Sequence, residues 1–214
     1  GPKGEARRVP EKVKVAVLGV GALGQHHARI YADLAKAGDV DFVGLFDVDA
    51  NRAAEIAAKH SVPVLLSVEH ATRAADAVSV VTPTVTHFEL ASEMLNAGRH
   101  VLVEKPMTDG ASEAAELIQL AQERGRVLQV GHVERFNPVF DYLQSAAREP
   151  RFIEAHRLSP YPKRSTDIGV VLDLMIHDLD VVLAFVDSPL KEVDGVGVPV
   201  LSASEDIANA RLKF

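Results

Sequence analysis

From Val13 to Gly131 the chain alternates short apolar runs with longer stretches in which apolar residues recur at helical spacing. The apolar runs at residues 13–18, 39–47, 77–81, 100–103 and 127–130 read as strands. Between them, residues 22–37, about 50–60, 85–97 and 112–124 read as helices. Asp49 or Asn51 can cap the second helix, and Gly38, Gly98 and Gly125 stand where the others stop. Residues 62–66 are short and interrupted by Pro63, which predicts a weak or edge strand. The strands lack period-two alternation, as strands buried on both faces do. Strand–helix alternation of this kind predicts an α/β fold: a Rossmann doubly wound parallel sheet with helices on both faces.

After Gly131 the pattern changes. A helix is predicted from Arg135 to about Arg148, and residues 151–158 alternate like a half-buried strand. Pro160, Pro162 and Gly169 punctuate a loop, and residues 170–186 are strongly helical. Strand-like segments follow at about 190–200 and 207–214. The expectation is a Rossmann domain over residues 9–131, then a partial α+β domain over 132–214 with an open, mainly antiparallel sheet. So few strands leave exposed edges. The remainder of that sheet is therefore expected to lie outside this sequence, to be disordered, or to come from a partner.

The first strand runs directly into Gly19, Val20, Gly21, Ala22, Leu23 and Gly24. This is the G-x-G-x-x-G pattern in its proper place, after a strand and before a helix. Gly19 permits a tight turn, Gly21 lets a pyrophosphate approach the backbone, and Gly24 lets helix and strand pack closely. Asp47 closes the next strand, where a carboxylate accepts hydrogen bonds from a ribose 2′-OH and repels a 2′-phosphate. That favours NAD over NADP. The alternative is a glycine turn in another kind of α/β protein, with Asp47 merely solvated.

Composition narrows the partners. The 214 residues are 47% hydrophobic and 25% charged, the proportions of an ordinary globular protein. A net charge of −7 argues against a broad nucleic-acid surface, while leaving room for a local cationic pocket. Cysteine is absent, which removes disulfides, thiolate catalysis and Cys-ligated metals. No apolar run approaches the roughly 20 residues of a membrane helix, and a cytoplasmic enzyme is expected. Gly1-Pro2 reads as a protease-cleavage scar. The His26-His27 pair follows the glycines and suits packing near a cofactor better than metal binding. No metal is expected.

In open α/β sheets, ligands bind beyond the C-terminal ends of the strands. Three segments fall there: the glycine turn, Thr82-Pro83-Thr84 with His87, and Glu104-Lys105-Pro106. Lys105 is placed to donate to a reacting hydroxyl, although its position alone also fits a surface lysine. On the late helix Asp173 and His177 are four apart and share a face, with Asp180 continuing that side. An imidazole beside a carboxylate can accept an alcohol proton. The same spacing also fits a satisfied core pair or a helix face against the other domain.

With these residues in hand the chain resembles the Gfo/Idh/MocA (glucose–fructose oxidoreductase/inositol dehydrogenase) family. The matching stretches are the glycine turn, Thr82-Pro83-Thr84-Val85-Thr86-His87, Glu104-Lys105-Pro106, and Asp173 through His177. The resemblance implies an N-terminal Rossmann domain and a C-terminal domain whose large open sheet often forms homo-oligomers. It implies catalytic roles for Lys105, Asp173 and His177, and a Lys105–Pro106 bond that is commonly cis. It places a cofactor on Gly19, Gly21, Ala22, Leu23, Gly24, Asp47, Thr82, Pro83, His87, Glu104 and Lys105. Residues 131–138 and 167–174 are similar to those of UDP-N-acetylglucosamine 3-dehydrogenases. On that likeness Arg135, Asn137, Tyr161, Lys163, Arg164 and His177 are expected near a sugar or nucleotide-sugar substrate. Helix capping and solvation are the other reading of Arg135 and Asn137. The implied activity is NAD-dependent oxidation of a sugar ring hydroxyl, the 3-position of a UDP-linked amino sugar. An inositol-type dehydrogenase and a catalytically silent NAD-binding regulator are the alternatives. Members of the family are longer than this chain, which bears on substrate binding and assembly.

Overall fold

The computed structural model describes residues 11–160 and 168–214. It divides into two compact units, one ending at Gly131 and the other beginning at His132.

The first unit runs β1 (Val13–Leu18), α1 (Gly24–Ala37), β2 (Val40–Phe46), α2 (Ala50–His60), α3 (Val68–Ala74) and β3 (Ala77–Val80). It continues with α4 (His87–Asn96), β4 (His100–Val103), α5 (Ala111–Arg124) and β5 (Leu128–Val130). The five strands pair in parallel in the order β2-β1-β3-β4-β5. Residues 62–66 contribute one parallel bridge, Val64 to Leu45, at the β2 edge. The chain thus moves outward from β1 on one side, then returns to the other side of β1 for β3. That reversal opens a crevice above the C-terminal ends of β1 and β3, where such sheets hold ligands.

Local chemistry sets the helix ends. The Asp49 carboxylate accepts from the Asn51 and Arg52 N–H groups and caps α2. Gly38 takes the left-handed conformation that ends α1. Both faces of the sheet are covered. On one, Ala16, Leu18, Val78 and Val103 pack with Met94, Leu95 and Leu117. On the other, Val17 and Leu45 pack with Ala28, Ala53 and Ile56. Two details differ from the sequence expectation. Residues 84–86 form a separate 3-10 turn, so α4 begins at His87 rather than Val85. The sequence reading also omitted α3, whose 7 residues are too few to register a helical period; the Ser67 cap and buried Ala71 hold it.

The second unit contains a 3-10 turn (Val133–Phe136), α6 (Pro138–Ala146), a π-helical turn (Val171–Met175) and α7 (Ile176–Phe185). An antiparallel pair, β6 (Glu192–Val198) and β7 (Ile207–Lys213), completes the described part. Asn137 caps α6 by accepting from the Val139 N–H, and Pro138 occupies the first turn, so the helix starts there rather than at Arg135. Phe140 of α6 meets Phe185 of α7 edge-on, with centroids 5.3 Å apart. The Asp206 carboxylate accepts the Val200, Leu201 and Ser202 N–H groups and fixes the β6–β7 connection.

Two expectations for this unit are corrected. Residues 151–158 form no strand; they are exposed and irregular. Alternation specifies a strand only where a partner ladder exists, and the described strands of this unit pair with each other. Residues 170–186 are not one continuous α-helix. A π turn opens the segment, and its side chains are only half-buried. Val171, Met175, Leu179 and Leu183 line an apolar cavity of about 590 Å³ with Val193 and Leu212 of the sheet. Asp173, His177 and Asp180 are not among the residues lining that cavity.

Candidate active site

The glycine turn closes tightly in two places and is open in a third. Gly19 has φ +84°, and a Cβ there would strike the Val81 carbonyl oxygen. A Cβ on Gly24 would collide with the carbonyl oxygen of Gly19. A Cβ on Gly21 would meet nothing within 4 Å. The turn is therefore pinned against β3 and α1 while leaving free volume over Gly21, where a phosphate group could lie against the backbone. Ala22 and Leu23 are exposed beside it. No side chain caps α1, and its first turn carries no acid, so the positive helix end is left to an anion.

Asp47 serves this turn directly. Its Oδ2 accepts the Val20 N–H at 2.7 Å, and its Oδ1 accepts the Asp49 N–H at 2.9 Å. A carboxylate has about four acceptor sites, so capacity remains for ribose hydroxyls. Arg52 completes the grip by donating Nε to the Val20 carbonyl at 2.9 Å. Sequence reasoning missed Arg52, since nothing in the helical pattern of α2 distinguishes it from a solvated surface arginine.

Beyond β3, the Thr82 methyl packs over Gly19, and the Thr82 hydroxyl meets that of Thr86 at 2.7 Å. Pro83 is exposed and opens the 3-10 turn. His87 was expected at the cofactor, and the structure shows an enclosed ring. Its ring is 1% exposed, with Nδ1 2.9 Å from the Pro106 carbonyl oxygen and Nε2 2.9 Å from that of Thr82. Both nitrogens are engaged with the backbone behind the loops. After β4, Glu104 accepts the Lys105 N–H and meets His27 Nε2 at 3.0 Å. Lys105 is half-buried, and its peptide bond to Pro106 is cis. The first unit thus gathers the glycine turn, Asp47, Thr82, Glu104 and Lys105 at the C-terminal ends of its strands.

The second unit carries the other candidates. Asp173 lies in the π turn and His177 in the first turn of α7. Single π turns of this kind are frequent at functional sites. Arg135 forms a two-pronged ion pair with Asp180, at 2.7 and 2.8 Å. Burial pushes the Asp180 carboxyl up, but the Arg135 hydrogen bonds and the neighbouring His132, Arg135 and His177 outweigh it and hold it below the ordinary carboxylate value. His132, overlooked as a site residue, has a buried Nδ1 without a hydrogen bond. Asn137 acts as the α6 cap, and Arg135 as the partner of Asp180. Tyr161, Lys163 and Arg164 lie outside the described residues.

A family model described as an oxidoreductase family with an NAD-binding Rossmann fold matches residues 13–132. The chain is 44% identical to UDP-N-acetylglucosamine 3-dehydrogenase of Acidithiobacillus ferrooxidans over 92% of its own length and 62% of that protein's. The solved structure of that organism's enzyme GnnA superposes with a TM-score of 0.87 at 43% identity, covering 94% of this chain and 66% of the other. A 4-carboxy-2-hydroxymuconate-6-semialdehyde dehydrogenase of a Sphingobium species is 37% identical over 62% of this chain and 42% of its own. The chain spans less than two thirds of the length of these relatives.

Proposed function

The chain belongs to the Gfo/Idh/MocA oxidoreductase family, and we propose that it oxidises the 3-hydroxyl of a UDP-linked amino sugar with NAD. The cradle fits that cofactor: the volume over Gly21 suits a pyrophosphate, and Asp47 suits an unphosphorylated ribose. What supports the substrate assignment is the degree of the likeness, 44% identity held over 92% of the chain. Similarity to the nucleotide-sugar enzyme runs through both units, whereas the relative with the muconate-semialdehyde substrate matches a much shorter part.

Bound NAD supplies the hydride acceptor, and the protein sets distance and electrostatics around it. In this reading His177 accepts the hydroxyl proton and Asp173 orients the imidazole. Lys105 donates a hydrogen bond to the substrate oxygen and stabilises the negative charge that develops there. Glu104 and Thr82 shape the ground beside the cofactor. Arg135 holds Asp180 near His177 rather than serving as a free phosphate ligand.

We extend the proposal to a homo-oligomer built on the β6–β7 sheet, where Val193, Val196 and Val198 are exposed. Analytical ultracentrifugation tests this; a monomer at all concentrations contradicts it. Among the described residues no helix is long and apolar enough to cross a membrane. The activity test is NADH absorbance with UDP-N-acetylglucosamine and myo-inositol supplied separately. Formation of NADH from the nucleotide sugar supports the reading. NADH from inositol alone replaces the substrate, and NAD binding without any turnover makes the protein a silent binder.

A further inference from the structure

Lys105 stands between two residues, each tied to a histidine from a different helix. On its N-terminal side, Glu104 meets His27 Nε2 of α1 at 3.0 Å and accepts the Lys105 N–H at 3.2 Å. The His27 and Glu104 side chains are 14% and 13% exposed. The carboxylate also lies against Gly131, where a Cβ would come within 2.6 Å of it, so a larger residue there would press on this pair. On the C-terminal side, the Pro106 carbonyl lies 2.9 Å from His87 Nδ1 of α4. The far nitrogen of the same ring reaches the Thr82 carbonyl, and Thr82 in turn packs on Gly19.

Neither histidine is used by the mechanism above. A polar ring in such enclosure requires partners, and both rings find theirs on the residues flanking Lys105. Resting on the reading of Lys105 as the donor to the substrate oxygen, we propose that His27 and His87 form a two-sided clamp that fixes the Lys105 backbone. They are positioning residues. A lysine has a flexible four-carbon stem, so the direction of its ammonium depends on how firmly its Cα is held. A displacement of about 1 Å at a reacting group costs on the order of a hundredfold in rate. The clamp also ties the lysine loop to α1 and, through Thr82, to the glycine turn. Donor and cofactor cradle are then referenced to one frame.

The test compares His27→Phe and His87→Phe with the conservative His27→Gln and His87→Gln, whose amides still donate. Three quantities are read: kcat with UDP-N-acetylglucosamine at saturating NAD, the NAD dissociation constant by calorimetry, and hydrogen–deuterium exchange across residues 104–108. The phenylalanine variants are expected to lose roughly 10–100-fold in kcat. Exchange at 104–108 should rise while β1 stays protected, and the loss in kcat should exceed any loss in NAD affinity. The glutamine variants should recover most of the loss. Unchanged exchange at 104–108 overturns the clamp, as does a kcat per folded molecule that ignores the substitutions. If buried His87→Phe does not fold, the more accessible His27→Phe carries the test. Lys105→Ala separates the two ideas: full turnover there defeats the role of the lysine, while the exchange measurement still decides whether the histidines hold the segment.

Discussion

A methyl group added at Gly21 should separate cofactor binding from folding, and the same methyl at Gly24 should not. At Gly21 the added Cβ meets no heavy atom within 4 Å, so the folded chain accommodates it. Replacing glycine where the backbone allows it reduces the entropy of the unfolded chain and stabilises by about 0.4–1 kcal/mol. For a protein of this size that is a rise of roughly 1–4 °C in Tm at most. In the proposed cradle the methyl would occupy the volume a pyrophosphate needs. Losing close approach should weaken NAD by at least about tenfold, or roughly 1.4 kcal/mol. At Gly24 the methyl collides with the Gly19 carbonyl and lies 3.5 Å from Val81 Cβ. Overpacking against backbone costs about 1–3 kcal/mol, a fall of roughly 2–12 °C. Thermal unfolding by circular dichroism without ligand, and calorimetric titration with NAD, read both effects. Gly21→Ala binding NAD as tightly as the parent would refute the cradle. Gly21→Ala melting as early as Gly24→Ala would refute the open volume.

Asp47→Ala removes the acceptor of the Val20 and Asp49 N–H groups as well as the carboxylate proposed to meet the ribose, so NAD affinity should fall about tenfold or more. Unchanged affinity in calorimetry contradicts the assigned role. The unmodified protein should bind NAD at least about tenfold more tightly than NADP, since a carboxylate in the role proposed for Asp47 would repel a 2′-phosphate; equal affinities contradict this. Asp180 is depressed below its ordinary 3.8 in the folded state. Its stabilisation is therefore complete above that ordinary value and is lost as pH falls through the folded-state value. Urea midpoints measured from about pH 6 to about pH 3 should drop on the acid side, and Asp180→Asn should flatten that drop. A variant with the same acid limb as its parent removes Asp180 as the cause.

The parallel sheet was legible because its strands are apolar on both faces and its helices stop at glycines such as Gly38 and Gly125. The glycine turn was legible in part: Gly19 and Gly24 answer steric demands beside a strand, while the chain itself places no such demand on Gly21. Legibility failed where the cause lies far away in sequence. Arg52 reaches Val20, 32 positions away, and His27 reaches Glu104, 77 positions away. Position at a strand end located His87 near the site, but could not show that its ring turns inward to two carbonyls. Alternation over residues 151–158 misled, because a period marks a face and not the partner that makes a strand. The π turn at Asp173 was hidden for a related reason. One inserted residue in a helix changes hydrogen bonding without changing the apolar count.

The most direct measurement is turnover of UDP-N-acetylglucosamine by Lys105→Ala at saturating NAD, followed as NADH absorbance beside the unsubstituted protein. Loss of the donor should lower kcat by roughly 10²–10³-fold while the NAD dissociation constant stays nearly unchanged. Lost NAD binding with kcat intact at saturation would contradict that role, and a nucleotide sugar left unoxidised by the unsubstituted protein would contradict the assignment itself.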